Sequence, residues 1–170
     1  MPGKKTMATK AAPTGQPSEP VALVLRRFRL VFNAVKTHFQ QVEKRAGVGG
    51  AQVWALSVIR ANRGMGMNAL ALAMDIHQTT ASNLVRALVN AGMVAADKNG
   101  PDRRTVQLRI LPPGTRVLRK APGPFMGVLP EALGRLDAQT LLSLDRDLAL
   151  LISTLKADER AAGIPLAQIL

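Results

Sequence analysis

Seven large apolar residues between Val21 and Val42 constrain this chain more than any other feature. Val21, Leu25, Phe28, Phe32, Val35, Phe39 and Val42 are separated by alternating steps of four and three. That 3.5-residue period, held over three heptads, belongs to a helix packing along another helix. Three of the four Phe in the chain lie on this one stripe. Arg26, Arg27, Arg29, Lys36, Lys44 and Arg45 take the other faces, and Gly47, Gly49 and Gly50 end the helix. A helix this apolar along one face needs a partner. A second candidate stripe, Leu141, Leu144, Leu148, Leu151 and Leu155, lies near the C-terminus behind Asp137, a plausible N-cap.

Between these stripes the periodicity changes twice. Residues 1–20 show no apolar period and read as a flexible basic tail with Lys4, Lys5 and Lys10. After the first helix, over residues 21–47, two short helices are expected, Ala51 to Ala61 and Asn68 to Met74. The first takes its apolar side from Trp54, Leu56, Val58 and Ile59, the second from Leu70, Leu72 and Met74. A third helix spans about Gln78 to Ala91 and stops at Gly92. Its inward face is Ala81, Leu84, Val85 and Leu88, at i, i+3, i+4 and i+7. The period then drops to two in Val94 and Ala96, and again in Val106, Leu108 and Ile110. A polar loop, Lys98 to Arg104 with an Asn-Gly turn, joins them into a β-hairpin. Pro112 and Pro113 open a helix from about Gly114 to Lys120, Pro122 and Pro124 interrupt it, and Val128 to Leu136 resumes.

The fold expected is mostly α with a small β-hairpin wing: a winged helix-turn-helix at 48–111, flanked by the N-terminal helix and by the C-terminal helices of 112–170. The winged layout rests on three short helices followed by a hairpin.

Charge narrows the function. The net charge is +12, and residues 1–110 carry 16 Lys/Arg against 5 Asp/Glu, while 111–170 carry 7 against 6. A basic excess confined to the first two-thirds suggests a polyanionic partner. Without Cys there is no disulfide framework, thiolate zinc site or thiol switch. No apolar run approaches the ~20 residues of a membrane span, and Met1 to Lys10 lacks a secretory core, so a cytoplasmic location without membrane association is expected.

In a helix-turn-helix the second helix enters the major groove. Here that helix offers Gln78, Thr79, Thr80, Ser82, Asn83 and Arg86, short polar groups that can approach base edges, with an Arg that reaches guanine or phosphate. No acidic residue occurs from Gln78 through Ala96, as a surface lying against phosphates requires. At the hairpin tip, Arg103 and Arg104 could enter a minor groove, with Asp102 steadying a guanidinium.

The run Leu88-x3-Gly92-Met93-Val94-x7-Asp102-Arg103-Arg104-x3-Leu108 resembles the multiple antibiotic resistance regulator (MarR) family. In that family a recognition helix ends in Leu-x3-Gly-Leu-Val, and a wing with an Asp-x-Arg signature follows. Asp102 and Arg104 fall on the signature positions. The resemblance covers roughly 21–157. It implies a homodimeric repressor of transcription, binding a pseudo-palindromic site on double-stranded DNA and released by a small aromatic or phenolic effector held between reading head and dimer arm. The interface expected is Val21, Leu25, Phe28, Phe32, Val35 and Phe39 with Leu148, Leu151 and Leu155, and the apolar run Ile164 to Leu170 is expected to dock on the partner subunit. Two departures fall in the arm. Leu111 replaces the family's capping Thr, and Pro122-Gly123-Pro124 breaks a usually continuous helix.

No cofactor, metal or catalytic residue is expected. His38 and His77 lack a metal-binding neighbour at i+3 or i+4 and read as structural or DNA-facing, His77 as a cap or phosphate contact. No nucleophile and base share an elbow, so an enzyme is not expected. Met65, Met67, Met74, Met93 and Met126 read as core residues. The alternative function is a nucleoid-associated or protein-interaction winged helix without effector control.

Overall fold

The computed structural model describes residues 18–97 and 106–169. The long first helix, α1, runs Glu19–Ala46, so it reaches two residues back into the expected tail. Pro20 sits in its first turn, where a missing N–H and a fixed φ suit a helix start. Glu19 at that end and Lys44 and Arg45 at the other complement the helix dipole. Gly47, at φ +75°, turns the chain out of the helix and donates its N–H to the Glu43 carbonyl at 2.8 Å.

The apolar seam of α1 divides in two. Val35 and Val42 are buried within their own chain, together with His38 and Ala46, and Phe28 and Phe39 are half-buried. Val21, Leu25 and Phe32 remain 41–50% exposed. The reason is length: α1 outruns the body it packs on, which consists of α2 (Gly50–Ala61), α5 (Pro112–Lys120) and α6 (Val128–Leu133). Val35 and Phe39, expected at a dimer interface, therefore serve the subunit's own packing.

The core lies beneath α2. Val53, Ala55, Leu56 and Ile59 meet Leu70 and Met74 around α3 (Met67–Ala73), Leu84, Val85 and Leu88 of α4 (Gln78–Asn90), and Val117 and Leu118 of α5. Leu72 is 85% exposed, against expectation. Leu70, Ala71 and Met74 define the inner arc, and residue 72 stands about 200° round the helix from residue 70.

Strands β1 (Val94–Asp97) and β2 (Gln107–Ile110) pair antiparallel, Val94 with Ile110 and Ala96 with Leu108. Val94 and Leu108 are buried under the hairpin, and Leu108 N–H donates to the Met65 carbonyl at 2.9 Å. That bond pins the wing's base to the turn after α2. The tip with Asp102, Arg103 and Arg104 lies outside the described residues.

α5 begins on Pro112 with Leu111 at its N-cap and no side-chain cap, as the missing hydroxyl predicts. α6 ends at Leu133, three residues short of expectation, with Gly134 as its C-cap. α7 (Ala138–Leu155) starts at Asp137, whose carboxylate accepts the Thr140 hydroxyl at 2.6 Å and the Thr140 N–H at 2.9 Å. A 3-10 turn (Glu159–Gly163) and a single-turn α8 (Leu166–Ile169) follow. This closing segment packs in part on its own chain, and Ile164, Leu166 and Ile169 stay 38–56% exposed. Pro165 is buried, Ala167 packs against the core and α8 lies on α2. Of the five Met expected inside, Met74 is buried and Met65, Met67 and Met93 pack at the core's edge, but Met126 is 49% exposed. Among the described residues no helix is long and apolar enough to cross a membrane.

Candidate nucleic-acid interface

The outward face of α4 follows from its inward one. Burying Ala81, Leu84, Val85 and Leu88 at helical spacing leaves Gln78, Thr79, Asn83 and Arg86 exposed and Ser82 half-buried. Gln78 Nε2 donates to Asn68 Oδ1 on α3 at 2.7 Å, tying together the two helices of the turn motif. Arg86 Nη1 donates to Asn83 Oδ1 at 3.2 Å, so these two form one hydrogen-bonding unit on the surface. Asn68 was not singled out in the sequence; its lone signal is a polar residue in the first turn of α3.

Two expected contacts are differently placed. Thr80 is half-buried, and its hydroxyl donates to the Gly163 carbonyl at 3.4 Å instead of facing outward. His77 occupies the N-cap position of α4 but makes no side-chain cap; its Nε2 donates to the Arg160 carbonyl at 2.8 Å. In both cases the closing segment supplies the carbonyl. At the wing, Arg109 on β2 pairs with Asp97 on β1 at 3.3 Å across an exposed face.

Beside the α3–α4 turn lies an apolar cavity of about 330 Å³, with Phe39, Trp54, Met74, Ile76, Met126 and Pro165 among its walls. It is bounded by α1, α2, the α3–α4 turn, the loop before α6 and the closing segment. His38, buried on α1, holds one wall in place. Its Nε2 donates to the Pro124 carbonyl at 3.0 Å, which anchors the proline-rich loop to α1. That bond requires the proton on Nε2, because a carbonyl can only accept. Among the described residues no group of three His, Cys, Asp or Glu could hold a metal ion.

A separate groove of about 590 Å³ runs between the free end of α1 and the end of α7. Val21, Leu25, Phe28 and Phe32 line one side, Leu151 and Leu155 the other. Leu148, expected beside them, is half-buried outside this lining.

Residues 46–105 match the model of the MarR family. A Thauera aromatica protein named for transcriptional regulation of the hcr operon is 30% identical over 96 residues, 56% of this chain and 57% of its own length. The chain thus matches little more than half of that relative. Two solved structures share the fold. MepR of S. aureus, in its DNA complex, superposes with a TM-score of 0.54 at 18% identity, over 79% of this chain and 97% of that one. The transcriptional regulator BldR from Sulfolobus solfataricus gives 0.50 at 21% identity, over 77% and 95%. With its wing base, its three-helix head and its flanking helices all arranged in this way, the chain has the winged helix-turn-helix fold of these structures, and its residues 46–105 are similar to the MarR family.

Proposed function

We propose that this chain binds duplex DNA as a homodimer in the cytoplasm and regulates transcription, with an affinity set by a small aromatic or phenolic ligand. The observation that carries the DNA reading is the polar face of α4, free of carboxylates and held outward by a fully apolar inner face. Gln78, Thr79, Ser82, Asn83 and Arg86 would approach base edges in a major groove, and Arg103 and Arg104 a flanking minor groove with Asp102 steadying the latter. Thr80 would join them only where its bond to Gly163 opens.

The groove between α1 and α7 supports the homodimer. It leaves large apolar side chains in water at the free end of a heptad seam, and a second copy would cover them. Two-fold pairing would set two reading helices against two half-sites, hence a pseudo-palindromic operator. The apolar cavity beside the α3–α4 turn supports the effector: it is bounded by both the reading head and the arm, and its Met and aromatic walls suit a flat apolar ligand. Repression would follow if the dimer occludes a promoter.

The test is binding to the promoter region beside the chain's own gene at two salt concentrations, with random-sequence competitor. A specific complex that survives competitor, and weakens steeply with salt, is the expected result. Equal affinity for promoter and random duplex would reduce the chain to a non-specific binder.

A further inference from the structure

The segment after α7 joins two parts of the molecule that are distant in sequence. At one end, the Gly163 carbonyl accepts the His77 N–H at 3.1 Å and the Thr80 hydroxyl, while the Arg160 carbonyl accepts from His77 Nε2. These bonds lie on the N-cap and first turn of α4. The approach is so close that a Cβ on residue 163 would come within 2.7 Å of His77 Cγ, so any larger residue there would have to push the His77 ring aside. At the other end, Ala162, Ile164, Pro165, Leu166 and Ala167 wall the apolar cavity.

The charge of this segment opposes DNA. Asp158 and Glu159 stand in the turn against the single Arg160, beside a helix and strand with no carboxylate from Gln78 through Ala96. Arg160 is already paired with Asp158 at 2.9 Å, and its hydrogen bonds hold that carboxyl below the usual carboxylate range. A duplex seated on the start of α4 would meet a turn of net negative charge and find the Thr80 hydroxyl taken.

The attachment is also light. No residue of the 3-10 turn is buried, Pro165 is the one buried residue of the segment among those described, and its seat lies at the wall of the apolar cavity. Segments with few buried contacts and exposed polar bonds open at low cost. Lys156, in the left-handed region at φ +51°, forms the bend from which the segment departs α7.

We propose that residues 158–169 form an intrachain clasp that closes over the start of the reading helix and lowers DNA affinity. The inference rests on the DNA-reading function proposed above. Only clasp-open molecules take the duplex, so apparent affinity falls by the open fraction. A ligand in the cavity packs against the clasp's inner wall and holds it shut, which gives the effector its route to the reading helix.

The chain has no Cys, so a His77→Cys, Gly163→Cys double variant of the full chain can form one intrachain disulfide only, which non-reducing electrophoresis tells apart from a cross-linked dimer. The close approach of the two residues suits the Cβ–Cβ separation of roughly 3.5–4.5 Å that a disulfide needs. Anisotropy with a labelled duplex of the promoter region beside the gene compares the same protein oxidised and reduced. The expected result is binding at least about fivefold weaker in the oxidised form, with Gly163→Val, which wedges the clasp open, binding more tightly than the parent chain. Equal affinity in the two redox states, or weaker binding by Gly163→Val at unchanged melting temperature, overturns the clasp while leaving the DNA reading intact. Failure of the two thiols to pair on oxidation also overturns it. Absence of binding by every form, the parent chain included, overturns the DNA reading and the clasp with it.

Discussion

Replacing Phe32 tests whether the free end of α1 is an interface. In the single chain Phe32 is 50% exposed and lines the groove shared with Leu151 and Leu155. Fully burying a large apolar side chain is worth about 1.5–3 kcal/mol. Half of that is already realised within the subunit, so covering the remainder contributes about 0.75–1.5 kcal/mol per copy. A two-fold interface counts each substitution twice. Phe32→Ala should therefore cost about 1.5–3 kcal/mol of dimer stability, a rise of roughly ten- to a hundredfold in the dimer dissociation constant. Phe32→Asp adds the cost of a carboxylate in an apolar seam and should give monomer across the micromolar range. Sedimentation equilibrium measures both. DNA affinity should fall in parallel, since one reading head alone holds one half-site. A parent chain that sediments only at 18.1 kDa at micromolar concentration would refute the reasoning. So would a dissociation constant that Phe32→Ala leaves unchanged. In the second case the groove would be covered by something other than a second copy.

Four further outcomes are expected. Asn83→Ala or Ser82→Ala should cost about 1–3 kcal/mol on the promoter duplex and little on random DNA, and an equal loss on both would make the residue a backbone contact. Arg104→Ala should weaken both kinds of complex and make the log-log salt slope shallower by about one unit; Asp102→Ala should weaken binding too, and tighter binding instead would deny Asp102 its steadying role. Trp54 is the single Trp and lines the cavity, so aromatic acids and phenols that act as effectors should change its fluorescence as they lower DNA affinity. A ligand that does one without the other does not act from this cavity. The Thr140 hydroxyl, and then its N–H, hold the Asp137 carboxyl below its ordinary value of 3.8. A depressed carboxylate stabilises the fold above its unfolded pKa and loses that contribution as pH falls through the folded one. Acid should therefore loosen the start of α7 only below about pH 3.8, and Thr140→Val should reduce that pH dependence in a circular-dichroism titration.

How much of this could be read from sequence depended on whether a residue's environment is local. The inner face of α4 was legible because Ala81, Leu84, Val85 and Leu88 recur at the helical period, and any helix with that pattern buries that side. The outward position of Asn83 and Arg86 then follows by exclusion. The N-cap at Asp137 was legible for the same reason, since its partner Thr140 is three residues away. Leu72 misled because a seven-residue helix has too few positions to define its own phase, and only the packing of Leu70 and Met74 against α2 decides it. The seam on α1 was right in period and wrong in extent. Periodicity reports which side of a helix is apolar but not what covers it, so Val35, buried by its own chain, and Phe32, left in water, look alike in sequence. The closing segment marks the far limit. Ile164 to Leu170 announces burial by composition, and a run so far from the reading head in sequence reads naturally as a surface for a second copy. What places it is a set of carbonyls, those of Arg160 and Gly163, meeting His77 and Thr80 more than 80 positions away. Backbone acceptors carry no side-chain identity, so no residue pattern could have named them. The trace left in the sequence is Gly163, where a larger residue would have to displace the His77 ring. Read alone, that glycine is one turn residue among many. Its meaning comes from what stands opposite, which is why the contact most able to regulate the reading helix was the one least visible before the fold was known.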